Sequence, residues 1–261
     1  MEKQSNIFYK ALKFIGQSNI FISLCSASLA MYAQVFFQRE ISLATIWITF
    51  GTTFILYNTQ QLFLGFLILK DVHEKKVWAE KNKIVLQLIF LTVISLIYPL
   101  YKSCWQFLLT YVIAGIISFL YFLPFSNLRA VPFLKSFIIG LVWVLICVIA
   151  PIEPDKIDRP QIIFGVSQLL FITALCVLFN IRDMEQDKKT GTHTIPVLYG
   201  IKRTKVFTII LLLGYLWTCY YLKPDFMFML VSLIVFLLSC FFTMKSAVVR
   251  HFFYFYWELT G

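Results

Sequence analysis

The sequence predicts an all-α integral membrane protein with about eight transmembrane helices. Of its 261 residues, 60% are hydrophobic and only 14% are charged, whereas soluble domains average about 45–50% apolar and about 25% charged residues. The charges are also segregated, because eight long stretches contain no Asp, Glu, Lys or Arg. Each stretch is close to the roughly 20 apolar residues that a helix needs to cross a bilayer. They lie at 19–37, 41–67, 84–101, 105–123, 136–152, 161–181, 206–222 and 226–244.

The segments outside these stretches complete the predicted architecture. Residues 1–17 alternate apolar side chains with lysines, a pattern typical of an amphipathic segment that lies on the membrane surface. The chain has no low-complexity linker and no shift in composition. We therefore expect one membrane-embedded domain over residues 1–261.

The distribution of basic residues predicts the orientation in the membrane. If the N-terminus is cytoplasmic and the eight spans alternate, 18 of the 23 Lys and Arg residues fall on the cytoplasmic side. Such an excess in short loops is what the positive-inside rule describes. The net charge of +10 thus indicates orientation and contact with membrane lipid, and no nucleic-acid partner is expected. The larger loops, 68–83, 124–135 and 182–205, face the cytoplasm in this topology, so we expect the active face there.

The most informative polar residues follow the sixth apolar stretch. Asn180, Asp183 and Asp187 are spaced i, i+3 and i+7, which places them on one face if the helix continues beyond the bilayer. Two carboxylates with an amide form a site of hard oxygen ligands, which Mg²⁺ prefers together with phosphate oxygens. Arg182 and Lys188 supply cations that a diphosphate would need. The alternative interpretation is a solvated helix end whose acids pair with neighbouring basic residues.

The run from Asn180 to Gly200, N-I-R-D-M-E-Q-D-K-K-T-G-T-H-T-I-P-V-L-Y-G, resembles the second aspartate-rich motif of the UbiA-type superfamily of intramembrane prenyltransferases. A looser similarity begins at Tyr121 in Y-F-L-P and includes basic residues before the next helix. Members of this superfamily usually have nine spans, and the aromatic segment 252–257 is interpreted as a remnant of the ninth. The positions that fit the second motif are Arg182, Asp183, Asp187, Gly191, Thr194, Pro196, Val197 and Gly200, and those of the looser match are Tyr121, Arg129, Pro132 and Lys135.

The resemblance implies a reaction and a set of site residues. It implies transfer of a prenyl group from a prenyl diphosphate to an aromatic, quinone-precursor or lipid acceptor within the membrane. Asp183 and Asp187 would be the catalytic residues and would hold Mg²⁺. The implied substrate-binding residues are Asn58, Gln61, Tyr121, Arg129, Lys135, Asn180, Arg182 and Lys188.

The sequence departs from the superfamily at its first aspartate-rich motif, of the form N-D-x-x-D. The corresponding residues, Asn58-Thr-Gln-Gln-Leu62, keep the Asn and have no carboxylate. Amides can coordinate a cation through oxygen, but they do not neutralise its charge. A catalytically inactive relative that binds an isoprenoid or a membrane partner is therefore an alternative. A small-molecule transporter is a second alternative, although transporters usually keep ionisable residues within their spans.

Overall fold

The structure is a computed structural model that describes residues 14, 18–68, 72–122, 131, 133–152, 158–189, 191–222 and 225–244. Within these residues every regular element is helical, which confirms the predicted all-α class. The helices are α1 (Ile20–Phe36), α2 (Leu43–Ile68), α3 (Val72–Lys81), α4 (Lys83–Lys102), α5 (Trp105–Phe122), α6 (Leu134–Val144), α7 (Arg159–Lys189), α8 (Ile195–Tyr221) and α9 (Phe226–Met244). A π-helical segment, Leu145–Ile149, and one further turn, Ala150–Ile152, continue the chain from α6.

Each of the eight predicted apolar stretches coincides with helix. Among the described residues, four helical segments have the length and composition to cross a membrane by themselves: Lys83–Lys102, Leu134–Ile152, Arg159–Glu185 and Phe226–Met244. Ile20–Phe36 and Trp105–Tyr121 are shorter apolar helices. The count of eight spans and the cytoplasmic N-terminus stay predictions. The lead-in at 1–17, apart from Phe14, and the tail at 252–257 lie outside the described residues.

Helix α8, which contains the seventh apolar stretch, begins earlier than that stretch indicates. The loop predicted at 182–205 would reach to residue 205, but α8 already starts at Ile195, with Pro196 in its first turn. Proline is tolerated there because the first backbone N–H groups of a helix have no intrahelical acceptor. The break lies at Gly200, which has φ 76° and ψ 166°, a conformation readily reached only by glycine. The expected loop is therefore a helical turn followed by a kink.

The described chain divides into two compact units. One comprises the residues up to Leu108 together with Ile146–Ile152, and the other comprises Leu109–Leu145 and the residues after Ile152. The single domain over 1–261 stays a prediction.

In the first unit, α2 packs against both α1 and α4. Hydroxyl groups join the first pair, since the Ser26 hydroxyl lies 2.9 Å from that of Thr53. Between α2 and α4, the Trp47 indole donates a hydrogen bond to the Ser95 hydroxyl at 3.1 Å. A side chain at Gly51 would lie 2.9 Å from a methyl carbon of Leu96, so these helices approach closely at that point. Small and polar residues of this kind are typical of helix contacts in membranes.

In the second unit, α7 packs against α6 and α8, and α8 also packs against α9. The contact between α6 and α7 is closest at Gly140, where an ideal Cβ would lie 2.6 Å from the Thr173 hydroxyl oxygen. On the other side of α7, Leu170 lies against Gly214 of α8, and the rings of Phe171 and Tyr215 are 5.0 Å apart. Thus α7 is held on two sides before its last turns leave the apolar region.

Candidate functional site

The last turns of α7 contain the acidic residues. The helix continues to Lys189, so Asn180, Asp183 and Asp187 share one helical face. Gly191 terminates the helix in a left-handed conformation, with φ +68°. The Gly191 and Thr192 N–H groups donate to the carbonyl oxygens of Lys188 and Asp187, respectively. These are the two bonds of a Schellman motif, and they fix the backbone that presents Asp187.

Asp187 is a buried acid with a cation from a neighbouring helix beside it. Only 7% of the residue is exposed, and the Lys135 ammonium of α6 lies 3.4 Å from its Oδ1 atom. Burying a carboxylate is expensive unless it is paired. The structure therefore brings together two predicted site residues that are 52 positions apart in the chain.

The second acid, Asp183, is paired with its sequence neighbour. Arg182 donates from Nε to Asp183 Oδ1 at 2.6 Å and from a terminal nitrogen to Oδ2 at 3.1 Å. The side chains are 40% and 30% exposed. Arg182 also lies over the Phe179 ring, 5.3 Å from its centroid. Partly exposed ion pairs contribute little net free energy, so Arg182 can exchange this carboxylate for another anion at low cost.

Asn180 is buried one turn before Asp183. It is 4% exposed, and its Nδ2 atom donates to the hydroxyl of Ser136 at 2.9 Å. Sequence reasoning missed Ser136, which is fully buried on α6. The sequence feature that could have indicated Ser136 is its position immediately after Lys135, at the start of an apolar stretch.

The turn before α6 positions Lys135, which is the second residue of that helix. Phe133 precedes the helix with φ +71°, a left-handed conformation that is unusual for a bulky residue. Its ring lies edge-on to Phe207 of α8, with centroids 5.4 Å apart, and 6.0 Å from Phe137. These ring contacts hold the turn that leads into Lys135.

Two of the remaining predicted residues, Lys188 and Tyr121, are described in the same unit. Lys188 is exposed and lies 3.7 Å from Glu185 on the same helix. Tyr121 is half-buried in the last turn of α5. Arg129 lies outside the described residues.

Asn58 and Gln61 belong to the first unit, where they form an amide cluster with Asn19. Asn58 is 2% exposed, and its Nδ2 atom donates to the carbonyl oxygens of Ser18 and Phe54 at 2.9 and 2.8 Å. Asn19 donates to Asn58 Oδ1 at 3.2 Å and to Gln61 Oε1 at 3.0 Å. Both the donor and the acceptor group of Asn58 therefore have protein partners, and its amide ties the start of α1 to α2.

The donor set at the end of α7 fits Mg²⁺ if the ligand supplies further oxygens. Among the described residues, no group of three or more His, Cys, Asp or Glu side chains is arranged around a metal position. Asp183 and Asp187 are one turn apart, and Mg²⁺ is often held by one or two carboxylates together with substrate phosphates and water. Two carboxylates beside Lys135 and Arg182 match this pattern.

Comparisons with known proteins agree with the fold and with the motif. One relative, 1,4-dihydroxy-2-naphthoate octaprenyltransferase of Bacillus subtilis (strain 168), is 29% identical over 134 residues. That similarity covers 47% of this chain and 41% of the relative, so the matched region spans about two fifths of the relative's length. A solved structure of digeranylgeranylglyceryl phosphate synthase in membranes is similar over 99% of this chain and 95% of its own. Its TM-score is 0.54 at 17% identity, which indicates a shared fold.

The family assignment depends on a match over most of the chain. Residues 79–257 match the UbiA prenyltransferase family, and this range is more than half of the chain. It includes the motif at 180–200 and the helices that present it. With its apolar helices, the chain is an integral membrane protein, and it belongs to the UbiA prenyltransferase family.

Proposed function

We propose that this chain transfers a prenyl group from a prenyl diphosphate to a hydrophobic acceptor within the membrane, with Mg²⁺ bound at Asp183 and Asp187. The observation that carries this proposal is the buried Asp187 with Lys135 at 3.4 Å, at the end of an apolar helix that also bears the Arg182–Asp183 pair. A solvated helix end would not need a buried carboxylate or a cation from another helix. Membership of the family favours the enzyme over the transporter.

The charges of the cluster suit a diphosphate. Asp183 and Asp187 are balanced by Arg182 and Lys135, so this group is neutral without ligand. A diphosphate with bound Mg²⁺ brings both signs of charge. The carboxylates can then hold the metal ion, while the two released cations contact phosphate oxygens.

Bound Mg²⁺ would neutralise the diphosphate and stabilise it as a leaving group. The allylic C–O bond breaks with its electron pair on the diphosphate, and the acceptor forms a new bond to the prenyl carbon as it loses a proton. Arg182 and Lys135, with Lys188 and Arg129 as further cations, stabilise the negative charge that develops on the leaving group. Fixed cations of this kind favour the transition state more than the ground state.

The relative from Bacillus subtilis is named for octaprenyl transfer to 1,4-dihydroxy-2-naphthoate, so an aromatic acceptor is the first to test. In the predicted topology the larger loops face the cytoplasm, so we expect the reaction at the inner face of the membrane. Tyr121, Asn58, Gln61 and Asn180 stay predictions as substrate contacts.

A second candidate function is binding of a prenyl diphosphate without turnover. The amide cluster favours this candidate, because Asn58 uses its side chain to hold Ser18 and Asn19 and adds no negative charge for a second metal ion. One metal site would then be formed by Asp183 and Asp187 alone.

The test is an assay of purified protein with labelled octaprenyl diphosphate and 1,4-dihydroxy-2-naphthoate, in Mg²⁺ and in EDTA. Shorter prenyl diphosphates and lipid acceptors form the rest of the panel. We expect product formation that depends on Mg²⁺. Asp187→Asn should abolish it, whereas Glu185→Gln, an equal change of charge on the opposite face of α7, should leave it unchanged. Binding that depends on Asp187 without any product would support the second candidate. Binding and turnover that are both indifferent to Asp187→Asn would refute the proposal.

A further inference from the structure

Ser136 lies at the contact between α6 and α7 and has no role in the proposed reaction so far. It is fully buried, and its hydroxyl accepts a hydrogen bond from Asn180 at 2.9 Å. Asn180 is also buried, so water cannot readily replace this acceptor. A buried amide that loses its partner is more costly than a hydrogen bond lost at a surface.

The bond is one of three contacts along the same seam, which we define as Lys135, Ser136 and Gly140 of α6 with Thr173, Asn180 and Asp187 of α7. Contacts run in opposite directions along the two helices: Gly140 meets Thr173, Ser136 meets Asn180, and Lys135 meets Asp187. Positions four apart on α6 and seven apart on α7 lie on single faces. The two helices therefore meet in one defined register.

The contact made by Ser136 differs from that of Gly140 because Ser136 is adjacent to Lys135 in the sequence. Gly140 and Thr173 set how closely the helices approach, but a small rotation of α6 about that point would still move the Lys135 ammonium. The directional bond between Ser136 and Asn180 opposes such a rotation. Its acceptor is one residue from Lys135, and its donor is one turn from Asp183.

We propose that Ser136 is a positioning residue, which acts through Asn180 to hold Lys135 against Asp187 and so prepares the site for a diphosphate. This inference rests on the proposed function, since it takes the cluster as a diphosphate site. It assigns a role to a residue that touches no reacting atom. It also explains why a buried polar pair lies between these two helices.

The experiment titrates inorganic pyrophosphate in Mg²⁺ into the purified full chain by calorimetry. We expect Ser136→Ala to weaken binding about 5- to 10-fold, and Ser136→Thr, which keeps the hydroxyl, to restore affinity to within about twofold. The control is Thr208→Val, which removes a buried hydroxyl that donates to Thr204 of its own helix. It should leave pyrophosphate affinity unchanged.

A second arm separates positioning from packing. In a Lys135→Met background, Ser136→Ala should have no further effect on pyrophosphate affinity, because the group that it positions is gone. Non-additivity of this kind is expected only for coupled residues. Equal losses with and without Lys135, or a lower melting temperature with unchanged affinity, would overturn the proposal.

The proposed function can fail separately. If the wild-type chain transfers no prenyl group but shows this pattern of pyrophosphate binding, catalysis is refuted and the role of Ser136 stands. If the wild-type chain does not bind pyrophosphate, the role of Ser136 is refuted as well.

Discussion

Replacing Asp183 by Asn should change pyrophosphate binding in opposite directions with and without Mg²⁺. The substitution keeps the shape of the side chain but removes the carboxylate that Arg182 grips through two bonds at 2.6 and 3.1 Å. Without Mg²⁺, Arg182 no longer has to leave an anion before it contacts pyrophosphate. With Mg²⁺, the site has lost one of its two proposed metal ligands.

The sizes of both effects follow from the exposure of the pair. Arg182 and Asp183 are 40% and 30% exposed, and ion pairs with this access to water contribute roughly 0.2–1 kcal/mol. Metal-free affinity should therefore rise by at most about fivefold. Two unit charges about 4 Å apart near a protein surface interact by about 4 kcal/mol before desolvation, so Mg²⁺-dependent affinity should fall by more, about 10- to 100-fold.

The assay is isothermal titration of pyrophosphate into detergent-purified protein, once in EDTA and once in Mg²⁺. Glu185→Gln is the matched control, because it removes one negative charge from the same helix and so has the same long-range electrostatic effect. If Asp183→Asn weakens binding equally in both conditions, Arg182 does not exchange its carboxylate for the diphosphate. Glu185→Gln also releases Lys188, so an equal metal-free gain in that variant would show that the gain is not specific to Arg182.

Three further substitutions test individual contacts of the fold, each by thermal or denaturant unfolding in detergent. Gly140→Ala should destabilise the protein by about 1–3 kcal/mol through overpacking, whereas Gly115→Ala, where a Cβ meets nothing within 4 Å, should be neutral or slightly stabilising; equal effects would contradict the close contact. Asn58→Ala should lower stability by about 2–4 kcal/mol, since its three hydrogen bonds contribute roughly 1 kcal/mol each. Asn82→Ala, whose amide donates to the carbonyl oxygen of Trp78 one turn earlier, should lower stability less. Unchanged stability with weaker pyrophosphate binding would instead make Asn58 a substrate contact. Gly191→Ala should lower stability by about 1 kcal/mol, because φ is +68° there, and unchanged stability would contradict the left-handed helix end.

The helical fold could be predicted from the sequence because its cause is local composition. A stretch of about 20 apolar residues must form a helix in hydrocarbon, since only then are its backbone groups hydrogen-bonded. The eight stretches accordingly coincide with helices. Composition does not predict how far a helix extends into polar sequence. For that reason it does not predict the start of α8 at Ile195.

The candidate site could be predicted only in part. The spacing of Asp183 and Asp187 was enough to place two carboxylates on one helical face, because a helix has a fixed period. It could not show that Asp187 is buried, or that Lys135 reaches it from 52 residues away. The role of Arg129 stays a prediction.

By itself, the sequence determined a membrane-embedded helical protein with an acidic motif at the end of its sixth apolar stretch. Only the tertiary structure decided which partner each polar side chain has. The packing of α6 on α7 pairs the amide of Asn180 with the hydroxyl of Ser136, and the amide of Asn58 donates to the carbonyl oxygen of Ser18, just before α1. Helix period and hydrophobicity act on neighbours in sequence, whereas a buried polar group takes its partner from whichever helix packs against it.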